Sequence, residues 1–250
     1  MATHEVRVDY AKALAEEPET GHNRWHPDIP PVVVCDPGDE VVLQTRDALD
    51  GQIGPDATAE TVGAVNLNVV HPLTGPVYVN GAERGDLLEV EILEVEPDRY
   101  GFTIQVPGFG FLRDEFPDPY IANWAIADGW ATSEDLPGVR IPGHPFMGTI
   151  GLSPDRALLE QTTAREQAAL DRGGFVLPPD PTDAVPSDPP SPPPRCAPSR
   201  RGRPPATSTS SSSAPAPACS SRSTPPAGCS PPATPTSRRA TARPAERRSR

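Results

Sequence analysis

The sequence predicts a mainly β protein whose folding part ends near residue 189. Three observations carry that reading. Short β-branched runs recur along the first 189 residues, separated by Pro, Gly, Asn and Asp turns. Only one stretch has both a helix start and a helix stop. From Pro190 to Arg250 there is no Val, Ile, Leu, Met, Phe, Trp or Tyr. Nothing in that alphabet offsets the chain entropy lost on ordering. Two regions follow: a β domain over 1–189, and a disordered Pro/Ser/Ala/Arg-rich tail over 190–250.

The elements can be justified in order. Val32 to Cys35 is a β-branched run stopped by Asp36-Pro37-Gly38-Asp39, and Glu40 to Thr45 resumes it. Together they read as two strands about a turn. Asn66 to Val70 is a further strand candidate, followed by His71 and Pro72. Val77 to Val79 is another, closed by Asn80-Gly81. Leu87 to Val95 alternates acids with apolar residues, as a half-exposed antiparallel strand does. Phe102 to Val106 follows. Ser153-Pro154-Asp155 is a helix-start signature with Pro at the first helical position. That helix would run to Arg172 and stop at Gly173-Gly174.

Charge separates the two regions further. The tail holds eleven arginines and one acid, Glu246, leaving 33 acids against 11 bases in the body. The chain's net −12 thus hides an acidic body and a basic tail. An acidic body does not suit nucleic acid or an anionic membrane, and is compatible with a small neutral substrate. Cys196, Cys219 and Cys229 lie in the tail at no metal-ligand spacing. Cys35 is alone in the body and reads as a small buried hydrophobe. The acidic start and the absence of a long apolar run suggest a cytoplasmic protein.

The loops concentrate the chemistry. His, Trp, Arg and Asp collect in 21–27, 45–52 and 107–116, where a β scaffold places function. Trp25 and Phe109 read first as anchors packing these loops on the core. There is no GxSxG, HExxH, phosphate-binding loop or dinucleotide fingerprint. His71, between a strand and a Pro turn, suits a metal ligand or general base, or a simple bond to a backbone carbonyl. Asp47 and Asp50 read as paired carboxylates that could activate water or hold a metal, or as an Asx turn. Arg113-Asp114-Glu115 reads as a solvent ion pair or a substrate wall.

The ordered series of loop phrases resembles the formamidase branch of the acetamidase/formamidase family. It comprises His22-Asn23-Arg24-Trp25-His26-Pro27-Asp28-Ile29-Pro30-Pro31, then Thr45-Arg46-Asp47-Ala48 with Asp50-Gly51-Gln52. His71 to Pro76, Asn80 to Glu83 with Gly85-Asp86, Pro107 to Pro119, Pro145 to Gly148 and Leu177 to Pro181 continue it. The resemblance implies a mainly β, jelly-roll-like and barrel-like fold, incomplete in this chain. It implies a homo-oligomeric cytoplasmic amidohydrolase that splits formamide or another short aliphatic amide to carboxylate and ammonia. Some members look metal-binding, so a divalent ion such as zinc is an expectation, with Asp47 and His71 as its ligands. Amide hydrolysis needs activated water, a polarised carbonyl and a proton for the amine. Carried onto these motifs, Asp47, His71 and Glu115 are the candidate catalytic residues. Asn23, Arg24 and Gln52 are the candidate substrate-binding residues.

The tail has its own reading. The neighbouring frame of the codons for Arg195 to Gly202 and Cys229 to Thr241 permits segments similar to the family's continuation, including a Gly-Asp-Ala-His run. The tail is therefore expected to be an out-of-frame translation, with the slip close to Asp188-Pro189. The alternatives are a non-catalytic remnant and a small-ligand-binding β protein.

Overall fold

A computed structural model describes residues 1–174, 176, 181–187 and 237–245, the last stretch as main chain. The described chain is mainly strand. In order it forms β1 Thr3–Val6, β2 Gly21–His22, β3 Val33–Cys35, β4 Glu40–Leu43, α1 Ala59–Gly63, β5 Leu73–Thr74 and β6 Val77–Val79. It continues with β7 Glu89–Pro97, β8 Tyr100–Gln105, β9 Tyr120–Ala127, β10 Trp130–Thr132, β11 Arg140–Pro142, α2 Arg156–Asp171 and β12 Ser237–Ala245. Among the described residues, no helix is long and apolar enough to cross a membrane.

The strands make two four-stranded sheets, ordered β1-β4-β12-β7 and β11-β10-β9-β8, and two pairs, β2-β5 and β3-β6. The second sheet is an antiparallel meander in which Gly101 faces Trp124 and Ile104 faces Ile121. β3 and β4 do not pair as a hairpin. Each takes a parallel partner, β6 and β1 respectively. The turn between them explains this. The Asp39 carboxylate accepts Ala2 N–H at 2.6 Å and Asp36 N–H at 3.1 Å, and lies 3.2 Å from His4 Nε2. It thereby seats the N-terminus alongside β4.

Other expectations shift for local reasons. Asn66 to Val70 is a turn, not a strand, because Asn66 Oδ1 accepts Asn68 N–H at 2.9 Å and Gln52 Oε1 accepts Asn66 N–H at 2.8 Å. The helix begins two residues later than expected, with Asp155 as N-cap accepting Leu158 N–H at 2.7 Å. β9 lacks a clean period-2 pattern, since Ile121, Ala122 and Trp124 are all buried. Ser237–Ala245, expected outside the fold, is paired between β4 and β7. Ladder pairing uses main-chain groups and needs no apolar side chain. The rest of the tail, its three cysteines and Leu177 to Asp180 lie outside the described residues.

Two apolar cores hold the body. Val6, Val33, Cys35 and Val41 join β1, β3 and β4. Cys35 is 2 % exposed, and burial together with Asp39 and Asp36 pushes its thiol up, so it packs and does not react. Leu49, Ile53, Ala57, Val62 and Ile121 form the second core, with Phe102 and Ile104 packed on it. That core lies directly under the Asp47 loop.

Candidate active site

The Asp47 loop folds around its own carboxylate. Asp47 Oδ1 accepts Leu49 N–H at 2.8 Å and Oδ2 accepts Gly51 N–H at 2.7 Å. Leu49 anchors the turn in the core, and Gly51 closes it at φ 77°. Burial pushes the Asp47 carboxyl above its ordinary value, against the pull of those amides and of Arg46. The amide bonds fix its position while burial raises its proton affinity.

Asp50 faces elsewhere. Its oxygens accept Leu14 N–H at 2.9 and 3.1 Å, and Oδ1 lies 3.8 Å from Arg46 Nε. Arg46 also donates from Nη2 to Glu17 Oε2 at 2.6 Å and from Nη1 to the Lys12 carbonyl. The side chains of Arg46 and Asp50 are each 5 % exposed, so this buried network ties the segment around Lys12 to the loop. Asp47 and Asp50 are therefore not a pair opening on a common space.

His71 is drawn to the same loop through its backbone. Its N–H donates to the Ala48 carbonyl at 2.7 Å, and it sits at φ 60°. A non-glycine residue in the left-handed region is uncommon and is held there by its surroundings. No strand precedes it; the turn and this hydrogen bond position it.

The carboxamides of Asn23 and Gln52, expected to bind substrate, are engaged with main chain. Asn23, 1 % exposed, donates from Nδ2 to the Asp183 carbonyl at 2.9 Å and accepts Val185 N–H at Oδ1 at 2.8 Å. Gln52 donates to the carbonyls of Leu49 and Asn66 at 2.8 and 3.1 Å while accepting Asn66 N–H. Arg24, 3 % exposed, donates to the carbonyls of Asn23 and Asn68 at 2.8 and 2.6 Å. Asn23 and Arg24 thereby join segments that are far apart in sequence. Trp25 meets His22 edge-on, with ring centroids 5.6 Å apart, as a packing anchor would. Phe109 is 48 % exposed and is not buried in the core.

Glu115 lies apart from this cluster in sequence, on the exposed loop between β8 and β9, with its N–H donating to the Leu112 carbonyl at 3.0 Å. Among the described residues, no three His, Cys, Asp or Glu side chains group so as to hold a metal ion. Asp47 and His71, the expected ligands of a divalent ion, are thus in no such group among the described residues.

Two residues absent from the motif phrases belong to the neighbourhood. The Tyr100 hydroxyl lies 2.7 Å from the Gly54 carbonyl and 2.8 Å from Asn123 Oδ1. Burial, then the charges of Asp47, Asp135 and Asp56, push its phenol up to about 12. It therefore stays a protonated donor at neutral pH. Asn123 Nδ2 in turn donates to the Ala57 carbonyl at 3.3 Å. A lone Asn inside the apolar run Tyr120 to Ala127 was the sequence signal for this contact.

Comparison with known proteins adds the ancestry. A profile of the Acetamidase/Formamidase family matches residues 7–200. An acetamidase of Mycolicibacterium smegmatis is 38 % identical over 185 residues, which is 69 % of this chain and 46 % of that protein. A formamidase of Methylophilus methylotrophus is 39 % identical over 167 residues, 64 % of this chain and 41 % of that protein. The chain thus spans less than half the length of these relatives. Among solved structures, a gamma lactamase from Delftia acidovorans superposes with a TM-score of 0.68 at 37 % identity. That match covers 73 % of this chain and 47 % of the lactamase. A predicted acetamidase/formamidase from Thermoanaerobacter tengcongensis, at 24 % identity and TM-score 0.52, shares the fold.

Proposed function

This chain belongs to the acetamidase/formamidase family, and from that membership we propose that it is an amidohydrolase of formamide or another short aliphatic amide. The observation that carries the reaction is Asp47: a carboxylate fixed by two amides, raised in proton affinity by burial, in a loop to which His71 is tied. A base so tuned can take a proton from water as the oxygen attacks the amide carbon. The C–N bond then breaks, ammonia leaves with that proton, and the acid remains as carboxylate. His71 beside the loop and Glu115 are the proposed proton carriers to the nitrogen. Asn23, Arg24 and Gln52 act by holding the motif loops in place. The acidic body is consistent with a neutral substrate and opposes nucleic acid or an anionic membrane as partner. Cytoplasmic residence and homo-oligomeric assembly are part of the same proposal, supported by the family resemblance.

The out-of-frame reading of the tail rests on composition. The alphabet of 190–250 is what a GC-rich gene yields out of frame. Nucleotide sequence around codons 186–192 tests the slip; an intact reading frame through the region overturns it. A non-catalytic remnant is the second reading, favoured by the engagement of the Asn23 and Gln52 carboxamides with main chain.

Ammonia release from formamide by the purified chain tests the proposal. Weak turnover that Asp47→Ala lowers by on the order of 10²-fold supports it. Turnover unchanged by Asp47→Ala refutes the role of Asp47, and no turnover at any protein concentration favours the remnant.

A further inference from the structure

The strand Ser237–Ala245 is the join between β4 and β7 in the first sheet. The strand order is β1-β4-β12-β7, and β12 runs antiparallel to both of its neighbours. Among the described residues, β7 has no other partner in that sheet. Without β12, β7 would lose its ladder and β4 would keep β1 alone. A slot flanked by two strand edges presents rows of main-chain donors and acceptors, and these bind an extended segment of almost any sequence. Selection then falls to the residues in register with it.

That register is charged on one side. β7 carries Glu89, Glu91, Glu94 and Glu96, all exposed. Arg239 is registered with Glu96, and Arg243 with Glu91. Between them Ala240, Thr241 and Ala242 are registered with Leu43, Val42 and Val41 of β4. Arginine thus stands opposite glutamate towards both ends of the β7 ladder, and small uncharged residues run along the apolar β4. Opposite charges at paired positions favour an antiparallel ladder, and like charges oppose it. Residues 188–236 supply ample length to reach the slot, since extended chain spans about 3.3 Å per residue. We propose that the slot between β4 and β7 is a docking site for an extended basic segment, and that Ser237–Ala245 of the same chain fills it, selected by the β7 glutamates. A segment with acids at positions 239 and 243 pairs like with like and is rejected. The inference rests on register and charge and not on the proposed reaction.

Hydrogen exchange of the full chain, read segment by segment by mass spectrometry, tests this. At low salt the amides of 237–245 and of β7 are expected to exchange slowly, and strong salt is expected to speed them. Arg239→Glu with Arg243→Glu is expected to raise exchange in both segments by about tenfold or more. β1, paired on the far side of β4, is expected to keep its protection and so report an intact body. Adding Glu91→Arg with Glu96→Arg to that variant is expected to restore protection, because the pairs re-form with their signs exchanged. A free peptide of the sequence 237–245, added to the Arg239→Glu, Arg243→Glu chain, is expected to restore protection of β7. The same peptide with Glu at both arginine positions is expected to leave β7 unprotected. The proposal is overturned by unprotected 237–245 in the natural chain, by protection indifferent to salt and to the reversed arginines, or by no recovery when the signs are exchanged. It is also overturned if both peptides act alike, or if protection appears only where the chain is dimeric, which makes a second copy the donor. No turnover is read, so either result leaves the hydrolase reading to its own test.

Discussion

Asn23 grips Val185 on both of its main-chain groups, across 162 residues of sequence. The Asn23 N–H donates to the Val185 carbonyl at 3.2 Å, and its side-chain Oδ1 accepts Val185 N–H at 2.8 Å. The end of the body is thereby fastened to the first motif loop. Asn23→Ala leaves the buried Val185 N–H without that acceptor and the Asp183 carbonyl without that donor. A loss of about 2 kcal/mol is expected in urea unfolding. Faster proteolysis within 181–187 is expected to accompany it. An unchanged midpoint would show that the clamp adds nothing.

Arg46 sits between two carboxylates with little access to water. Arg46→Met removes the charge, leaving Asp50 without its cation and Glu17 with Lys12 at 3.6 Å, a loss of about 3 kcal/mol. The double change Arg46→Met with Asp50→Asn is expected to recover part of it. Denaturant midpoints of the single and double variants decide the matter.

Gly21 tolerates no side chain. A Cβ there would drive into the carbonyl of Leu73, next to its β5 partner Thr74, and press on Leu14 at 3.3 Å. The obstacle is main chain, which cannot swing aside. Gly21→Ala is expected to cost about 1–3 kcal/mol and to loosen the amides of Gly21 and His22 in hydrogen exchange.

The N-terminal strand should detach in acid. Asp39 is held down at about 2 from an ordinary 3.8, first by the Ala2 N–H, then by the Asp36 N–H and His4. A depressed carboxyl contributes stability that is present above the unfolded value and lost as pH falls through the folded one. Protection of the β1 amides is therefore expected to hold above pH 3.8 and to fall toward pH 2. In Asp39→Asn that pH dependence disappears; a fall of the same shape in the variant would assign it elsewhere.

If Asp47 is the base, turnover carries its titration. Its raised carboxyl makes the rate climb with pH through a midpoint above 3.8, since only the ionised form accepts the proton. Asp47→Asn removes that limb of the profile along with most of the rate. Survival of the limb in the variant would place the base on another group.

Much of the fold was legible where a period or a turn residue spoke locally. β4, β7 and β8 come close to their expected limits, because β-branched and alternating runs report their own pleat. β9 was hidden because its neighbours Ile121 and Ala122, on opposite faces, are both buried, which breaks the alternation, and β2 and β5 are too short for any period. The site divided in the same way. Asp47 and His71 stand in the loop phrases and are tied through the Ala48 carbonyl, whereas Tyr100, on β8, joins their neighbourhood only through tertiary packing. Asn23 and Gln52 looked like amide binders because a carboxamide carries the same groups whether it faces a ligand or a backbone.

The sequence by itself determined the class of fold, the ancestry, and the abrupt loss of core-forming residues after Pro189, because composition and ordered motifs are local properties of the chain. Tertiary structure alone decided which partners those residues have. It sent β3 and β4 to different sheets, turned Asp50 away from Asp47, bound Val185 to Asn23, and gave Ser237–Ala245 a place between β4 and β7. The reason is physical: hydrogen-bond partners and burial depend on groups far apart in sequence, and no local pattern records which of them will meet.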